Sequence, residues 1–171
     1  MKLKWALIFL VAVAILGIYT YRQMQAPFER GESVPEFSLM DLSGKTVRLS
    51  AYKGGPVLVH FFASWCSVCA QEFPGLEKFT KDFPQIKLAA ISEDEGGADI
   101  VIKFLGGKVP LFDVLLDEEG IVADKYKSYM VPETFLVDRE GRFLTNFRGA
   151  VDWQDRRVRE KVLSEFGIPT K

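Results

Sequence analysis

The only two cysteines of the chain, Cys66 and Cys69, lie where a buried strand is predicted to give way to a helix. Val57–Phe62 follows a Gly-Gly-Pro turn and is rich in β-branched and aromatic side chains, which predicts a buried strand. From Val68 onward the apolar residues have helical spacing. The free N–H groups and the dipole of a helix start favour a thiolate there. The sequence therefore predicts a strand–turn–helix unit with reactive thiols at its turn.

Within this pair, Cys66 is predicted to be the exposed nucleophile and Cys69, one turn inside the helix, the resolving thiol. A structural zinc site needs four ligands, and the chain has no other cysteine and one histidine. A purely structural disulfide is also disfavoured, because a bridge that closes so small a loop restrains the unfolded chain very little. The pattern favours thiol–disulfide chemistry with no metal and no cofactor.

The N-terminal stretch, residues 5–21, is uncharged and mostly aliphatic, with Lys2 and Lys4 before it and Arg22 after it. This length is at the short end of what spans a bilayer, so residues 1–22 are predicted to form a single-pass membrane anchor. A cleaved signal peptide is the alternative, but no suitable small-residue site follows the run closely. The charges favour a cytoplasmic N-terminus, which predicts that the remainder lies on the periplasmic or extracytoplasmic side of the cell membrane.

Beyond the anchor, residues 23–34 are predicted to be a polar linker and residues 35–171 one domain. This part of the chain has a net charge of about −4, which argues against nucleic acid as a partner. Three consecutive acids, Glu93, Asp94 and Glu95, precede two glycines. They are expected to form a solvated loop rather than a cation site, because acids without further ligands bind metals weakly.

Strands alternate with helices along the domain. Two short strands around residues 37–49, with a turn at 41–44, predict an N-terminal β-hairpin. Further strands are predicted at 86–92, 114–116, 134–137 and 143–147, and helices from Val68, at 99–105, at 122–126 and from about residue 152. This order predicts an α/β fold in which a mixed central sheet is flanked by helices on both faces.

These segments resemble the membrane-anchored thioredoxin-like proteins of the TlpA, ResA and CcmG (DsbE) group, over residues 31 to about 166. The resemblance rests on motifs that include Val34-Pro35-Glu36-Phe37, Ala63-Ser64-Trp65-Cys66-Ser67-Val68-Cys69, Glu72-Phe73-Pro74 and Val131-Pro132-Glu133-Thr134-Phe135-Leu136-Val137-Asp138. It implies a thioredoxin-like fold with an N-terminal β-hairpin and a short central insertion. It also implies the activity of a protein-disulfide oxidoreductase.

The resemblance further implies a surface beside the cysteines that binds a client protein. Pro132 would be a cis-proline facing the disulfide, and the backbone of Val131 would offer an edge to a client peptide. Trp65 and Glu133 would complete this surface. The Pro-Glu-Thr sequence at this point resembles CcmG more than other members, and therefore favours a role in cytochrome c maturation.

Two titratable residues near the pair are candidates for proton transfer. Glu72 lies about one helical turn after Cys69 on the apolar face, where an unpaired carboxyl tends to stay protonated and can exchange a proton with a thiol. Members of the resembled group often carry an acid here. His60 lies six residues before Cys66, where thioredoxin carries a buried acid, and it is the alternative proton acceptor. The plainer alternatives are a carboxylate that reaches water and a core histidine.

The predicted function is the reduction of disulfides in a partner protein outside the cytoplasm. The resemblance implies a client such as apocytochrome c or a copper-site protein, and a membrane protein that donates thiol electrons. The alternative is a Cu(I)-handling module in which the thiolates hold the soft ion, with Met130 as the one further candidate ligand nearby. A peroxidase is disfavoured because the pair follows a Trp-Cys-x-x-Cys pattern.

Overall fold

The computed structural model describes residues 9–15, 17 and 27–169. Within residues 27–169 its centre is a seven-stranded sheet of β1 (Ser38–Asp41), β2 (Thr46–Arg48), β3 (Val57–Phe62), β4 (Lys87–Ser92), β5 (Asp113–Leu116), β6 (Glu133–Val137) and β7 (Phe143–Arg148). The spatial order is β2-β1-β5-β4-β3-β6-β7. The neighbours β3, β4 and β5 run parallel, and the other neighbouring pairs are antiparallel. The predicted mixed sheet of an α/β fold, with its N-terminal hairpin, is confirmed.

Helices cover both faces of this sheet. They are a 3-10 helix (Leu49–Tyr52), α1 (Ser67–Asp82), α2 (Gly97–Phe104), α3 (Ile121–Tyr126) and α4 (Arg156–Glu165). The last helix begins later than the sequence predicts, because Asp155 is its N-cap. The Asp155 carboxylate accepts hydrogen bonds from the backbone N–H groups of Arg157 and Val158, which satisfies donors that the helix itself leaves free.

Strand β3 lies inside the sheet and every one of its residues is buried. Since successive side chains of a strand point to opposite faces, β3 supplies both halves of the core. Val57, Val59 and Phe61 pack with α3 on one face. On the other face Leu58 packs with α1 and α4, and Phe62 packs with the cysteines and α2. The strand therefore carries the chain directly from the core to the cysteine turn.

The segment just before the domain is packed against the sheet. The ring of Phe28 contacts those of Tyr126 and Phe143 at centroid distances of 5.9 and 5.7 Å. The backbone N–H of Gly31 donates a hydrogen bond of 2.8 Å to the carbonyl oxygen of Phe143. The backbone N–H of Phe143 donates a hydrogen bond of 2.8 Å to the backbone carbonyl oxygen of Glu32. The later part of the predicted linker thus adds backbone pairing to the start of β7.

The predicted membrane anchor falls largely outside the described residues. Of this stretch, residues 9–15 are helical. Within the described part of the chain, no helix has the length and apolar character needed to cross a membrane.

Candidate active site

The two cysteines form a disulfide at the first turn of α1, with their Cα atoms 5.3 Å apart. Cys66 is the N-cap of this helix, and its Sγ accepts a hydrogen bond of 3.1 Å from the backbone N–H of Cys69. After reduction the same N–H and the helix dipole favour a negative charge on Cys66. Cys66 is 7% exposed and Cys69 is fully buried. Cys66 is therefore the more accessible of the two residues, but the expectation that it is exposed is wrong, because it packs with Phe62, Phe73 and Val131.

A cis-proline loop lies against the disulfide. The Val131–Pro132 peptide bond is cis, as the resemblance implies. The carbonyl oxygen of Val131 lies 3.8 Å from Sγ of Cys66. The carbonyl oxygen of Pro132 accepts a hydrogen bond of 2.9 Å from the N–H of Gly149, which ties the loop to the end of β7. The structure thus places the backbone of Val131, followed by the cis-proline Pro132, beside Sγ of Cys66, which is the predicted nucleophile.

The turn that leads to Cys66 is held by a buried acid. Asp94 is 4% exposed, and its carboxylate accepts hydrogen bonds from the backbone N–H and the hydroxyl of Ser64, at 2.9 and 2.6 Å. It also accepts a hydrogen bond of 2.6 Å from the hydroxyl of Ser92, the last residue of β4. The expectation of a solvated loop is wrong for Asp94, because Ser64 and Ser92 supply hydrogen-bond donors that allow its carboxylate to be buried. Asp94 is a site residue that the sequence analysis missed.

Glu72 lies on the buried side of α1, 6% exposed. The indole N–H of Trp153 donates a short hydrogen bond to its Oε1. Within residues 27–169 the buried Oε2 has no hydrogen-bond partner. Burial raises the pKa of Glu72 to about 7. The hydrogen bond from Trp153 and the backbone N–H of Val151 lower this pKa, but by less than burial raises it. The carboxyl therefore sits near its own pKa at neutral pH, as a residue that takes up and releases protons must.

His60 is completely buried on β3. Its Nδ1 lies 2.9 Å from the hydroxyl of Thr134, and its ring packs on Phe62 and Phe73. Its Nε2 has no hydrogen-bond partner among the described residues. Burial lowers the pKa of His60 to about 3, because a charged imidazolium would lose its hydration. The ring is neutral across the physiological range.

Glu133 is turned into the protein and is 1% exposed. Its Oε1 accepts hydrogen bonds from Asn146 at 2.6 Å and from Arg148 at 3.0 Å. The nearby Glu93 has a pKa raised to about 7, by burial first and then by the negative charges of Asp117 and Glu133. The structure thus places Glu133 below the cis-proline loop, and a direct contact between Glu133 and a client stays a prediction.

The surface around Cys66 is apolar and open. Trp65, which precedes the cysteine, is 72% exposed, and Val68 is 43% exposed. Tyr129 and Met130, just before the cis-proline loop, are 68% and 51% exposed. We call these four side chains the apolar rim. Across residues 9–15, 17 and 27–169, no three His, Cys, Asp or Glu side chains are grouped so that they could hold a metal ion.

The chain is similar in sequence to known thioredoxin-like proteins. Residues 30–143 match the model of the AhpC/TSA family. The thioredoxin-like protein YneN of Bacillus subtilis is 34% identical over 147 residues, which cover 81% of this chain and 85% of that protein. The thiol-disulfide oxidoreductase ResA of Bacillus subtilis is 31% identical over 148 residues, which cover 84% of this chain and 83% of that protein.

Solved structures show the same likeness. A crystal structure from Chlorobium tepidum, assigned as the thiol:disulfide interchange protein DsbE, superposes with a TM-score of 0.74. It is 28% identical in sequence, and the match covers 81% of this chain and 98% of that one. The fold of this chain is thus shared with a protein assigned to thiol–disulfide interchange.

Proposed function

Because the chain belongs to the AhpC/TSA family, and within it to the TlpA/ResA/CcmG group of thioredoxin-like thiol–disulfide oxidoreductases, we propose that it reduces disulfides in client proteins outside the cytoplasm. The observation that carries this proposal is the position of Cys66. Its sulfur caps helix α1, accepts a hydrogen bond from the N–H of Cys69 and lies beside the cis-proline loop. A thiolate at this place is both stabilised and within reach of an extended client peptide.

The exchange proceeds in two balanced steps. The Cys66 thiolate attacks one sulfur of the client disulfide, the other client sulfur leaves as a thiolate, and a mixed disulfide forms. The Cys69 thiol then gives its proton to a base, and its sulfur attacks Sγ of Cys66. The mixed disulfide breaks, the client sulfur leaves and takes up a proton, and Cys66–Cys69 is oxidised as the client gains two electrons. A membrane protein that donates thiol electrons returns the pair to the dithiol.

Glu72 suits the role of this base better than His60 does. Its pKa of about 7 means that near neutral pH it is present in both forms, so it can accept the proton of Cys69 and return it to the client. His60, with a pKa of about 3, has too little affinity for a proton to take one from a thiol. We assign His60 to the core of the site, where it fills the space between β3 and Phe73.

The proposed client is apocytochrome c or a copper-site protein of respiratory oxidase assembly. The Pro-Glu-Thr sequence at the cis-proline loop supports the first, as in CcmG. The apolar rim around Cys66 suits a client that is still unfolded and exposes apolar side chains next to its cysteines. Residues 1–22 are proposed as a single-pass anchor that keeps the domain at the outer face of the cell membrane.

Mixed-disulfide trapping in the native host tests the proposal. In Cys69→Ala, the second step is blocked and the client stays joined to Cys66. The expected result is a covalent adduct with an exported apocytochrome c or copper-site protein, released by dithiothreitol. The matched control is Cys66→Ala/Cys69→Ala, which forms no adduct. An adduct formed only with cytoplasmic proteins, or equal recovery from the control, would contradict the proposal.

A further inference from the structure

We propose that Trp153 is a positioning residue of the redox site: its indole N–H holds one oxygen of Glu72 and leaves the other bare to take the proton of Cys69. The inference rests on the proposed role of Glu72 and adds a residue from a distant part of the chain. Trp153 lies in the turn before α4, 81 residues after Glu72. It belongs to none of the motifs that mark the cysteine turn or the cis-proline loop.

The packing of Trp153 fixes the direction of its N–H. The side chain is 1% exposed, and its ring lies against those of Phe79 and Phe147 at centroid distances of 5.2 and 6.1 Å. The amide of Gln154, the next residue, donates a hydrogen bond of 3.0 Å to the carbonyl oxygen of Gly75 on α1. The turn is therefore tied to the same helix that carries Glu72, and the buried indole ring packs against Phe79 and Phe147.

The hydrogen bond divides the two carboxylate oxygens of Glu72 into different roles. Oε1 is occupied by the indole N–H, whereas Oε2 is buried and has no hydrogen-bond partner in the described part of the chain. An indole N–H can donate but cannot accept, so it favours the ionised carboxylate over the protonated acid. A buried carboxylate with one oxygen held and one free is ready to receive a proton from the neighbouring turn.

Among the described residues, no positively charged group contributes to the pKa shift of Glu72. Of the titratable groups near it, Asp152 lines the same small cavity as Glu72 and Trp153, and Cys69 lies about one turn earlier on α1. His60 packs against Phe73, the residue that follows Glu72. Burial raises the pKa of Glu72, and the Trp153 hydrogen bond is the largest effect that lowers it. Without the indole N–H the pKa of the carboxyl would rise further, so a smaller fraction of it would be ionised at neutral pH and able to accept a proton.

The direct test measures the pKa of Glu72 by NMR in the reduced full-length chain, kept in mild detergent. Trp153→Phe keeps a ring against Phe79 and Phe147 but removes the N–H. We expect the pKa of Glu72 to rise by about one unit, as for the loss of one charge-assisted hydrogen bond. The rate at which Cys69 resolves a mixed disulfide at pH 7 should then fall about fivefold. The pH profile of this rate should move to higher pH by about one unit, as the pKa of Glu72 does.

Two further variants separate the N–H from the packing. The isosteric amino acid 3-benzothienylalanine at position 153 keeps the shape of the indole and lacks the donor, so it should raise the pKa of Glu72 even if Trp153→Phe folds poorly. The matched control, Phe147→Leu, disturbs the packing of Trp153 but leaves the donor in place, and should leave the pKa unchanged. In the wild type, the indole N–H resonance of Trp153 should follow the titration of Glu72.

The outcomes distinguish this inference from the proposed function. An unchanged pKa of Glu72 in both position-153 variants overturns the positioning role, as does an equal rise in Phe147→Leu. A pH profile of mixed-disulfide resolution that is identical in Glu72→Gln and wild type overturns the proton-transfer role of Glu72, and the positioning role with it. A profile that shifts in Glu72→Gln but not in the position-153 variants overturns the positioning role alone.

Discussion

The carboxylate of Asp94 holds Ser64, two residues before Cys66, through both the backbone N–H and the hydroxyl of the serine. This contact joins the end of β4 to the turn that carries the cysteines. The same carboxylate accepts the hydroxyl of Ser92. A buried charge with three donors around it is well satisfied, so the turn is held in one conformation before a client arrives.

Removal of this acid is predicted to destabilise the protein and loosen the turn. Asp94→Ala leaves the N–H of Ser64 and the hydroxyl of Ser92 without their acceptor, and should lower the free energy of unfolding by about 2 to 4 kcal/mol. Urea denaturation of the oxidised chain measures the loss. Glu95→Ala, at the exposed neighbouring position, is the control and should change stability by less than about 0.5 kcal/mol. If Asp94→Ala lowers the free energy of unfolding no more than Glu95→Ala does, the contacts of Asp94 do not stabilise the protein.

The packing of Phe28 makes the segment before the domain part of its stability. Phe28→Ala removes a ring that contacts Tyr126, Phe135 and Phe143, and we expect a loss of about 2 to 4 kcal/mol in the free energy of unfolding. Val109→Ala is the matched control, because Val109 is 85% exposed. If Phe28→Ala unfolds at the same urea concentration as wild type, the segment is not packed against the sheet in solution.

The buried carboxyl of Glu72 should make stability depend on pH. Its pKa is about 7 in the folded protein and 4.5 without burial, so between these values the folded state binds more protons than the unfolded state. The contribution of Glu72 to stability is therefore complete below pH 4.5 and is lost as pH rises through 7. Glu72→Gln should be more stable than wild type by about 1 to 3 kcal/mol at pH 8 and by much less at pH 4.5. If the difference in stability between Glu72→Gln and wild type does not vary with pH, the pKa of Glu72 is not raised by folding.

The reduced cysteines should differ strongly in reactivity. Cys66 caps α1 and keeps some exposure, whereas Cys69 is fully buried. Iodoacetamide should modify Cys66 at least about tenfold faster than Cys69, with an apparent pKa below the usual value of about 8.5. Peptide mass spectrometry after timed quenching measures both rates. Similar rates at the two positions would contradict the assignment of Cys66 as nucleophile.

The sequence predicts local structure well where one face of an element is buried throughout. The apolar run of β3 and the helical spacing of Leu76 and Phe79 on α1 are short local patterns, and each predicts which residues are buried. These patterns, with the Trp-Cys-x-x-Cys turn, were enough to predict the sheet, the main helix and the position of both cysteines. Glu72 was found in the same way, as an acid on a buried face.

The contacts that tune the site join residues far apart in the chain, and local spacing does not show them. Asp94 resembles its exposed neighbour Glu95 in the sequence, and only the approach of Ser64, 30 residues earlier, separates them. Trp153 lies 81 residues from Glu72. Periodicity predicts which face of an element is buried, but the partner on that face is decided by how the elements pack.

The central claim is that Glu72 accepts the proton of Cys69 as the mixed disulfide is resolved. The most direct measurement is the pH dependence of this step, followed in wild type, Glu72→Gln and His60→Asn after Cys66 is loaded with a client peptide. We predict a rise in rate centred near pH 7 in wild type and in His60→Asn. In Glu72→Gln this rise should be lost and the rate at pH 7 lowered at least about tenfold. An unchanged profile in Glu72→Gln, or a larger loss in His60→Asn, would contradict the claim.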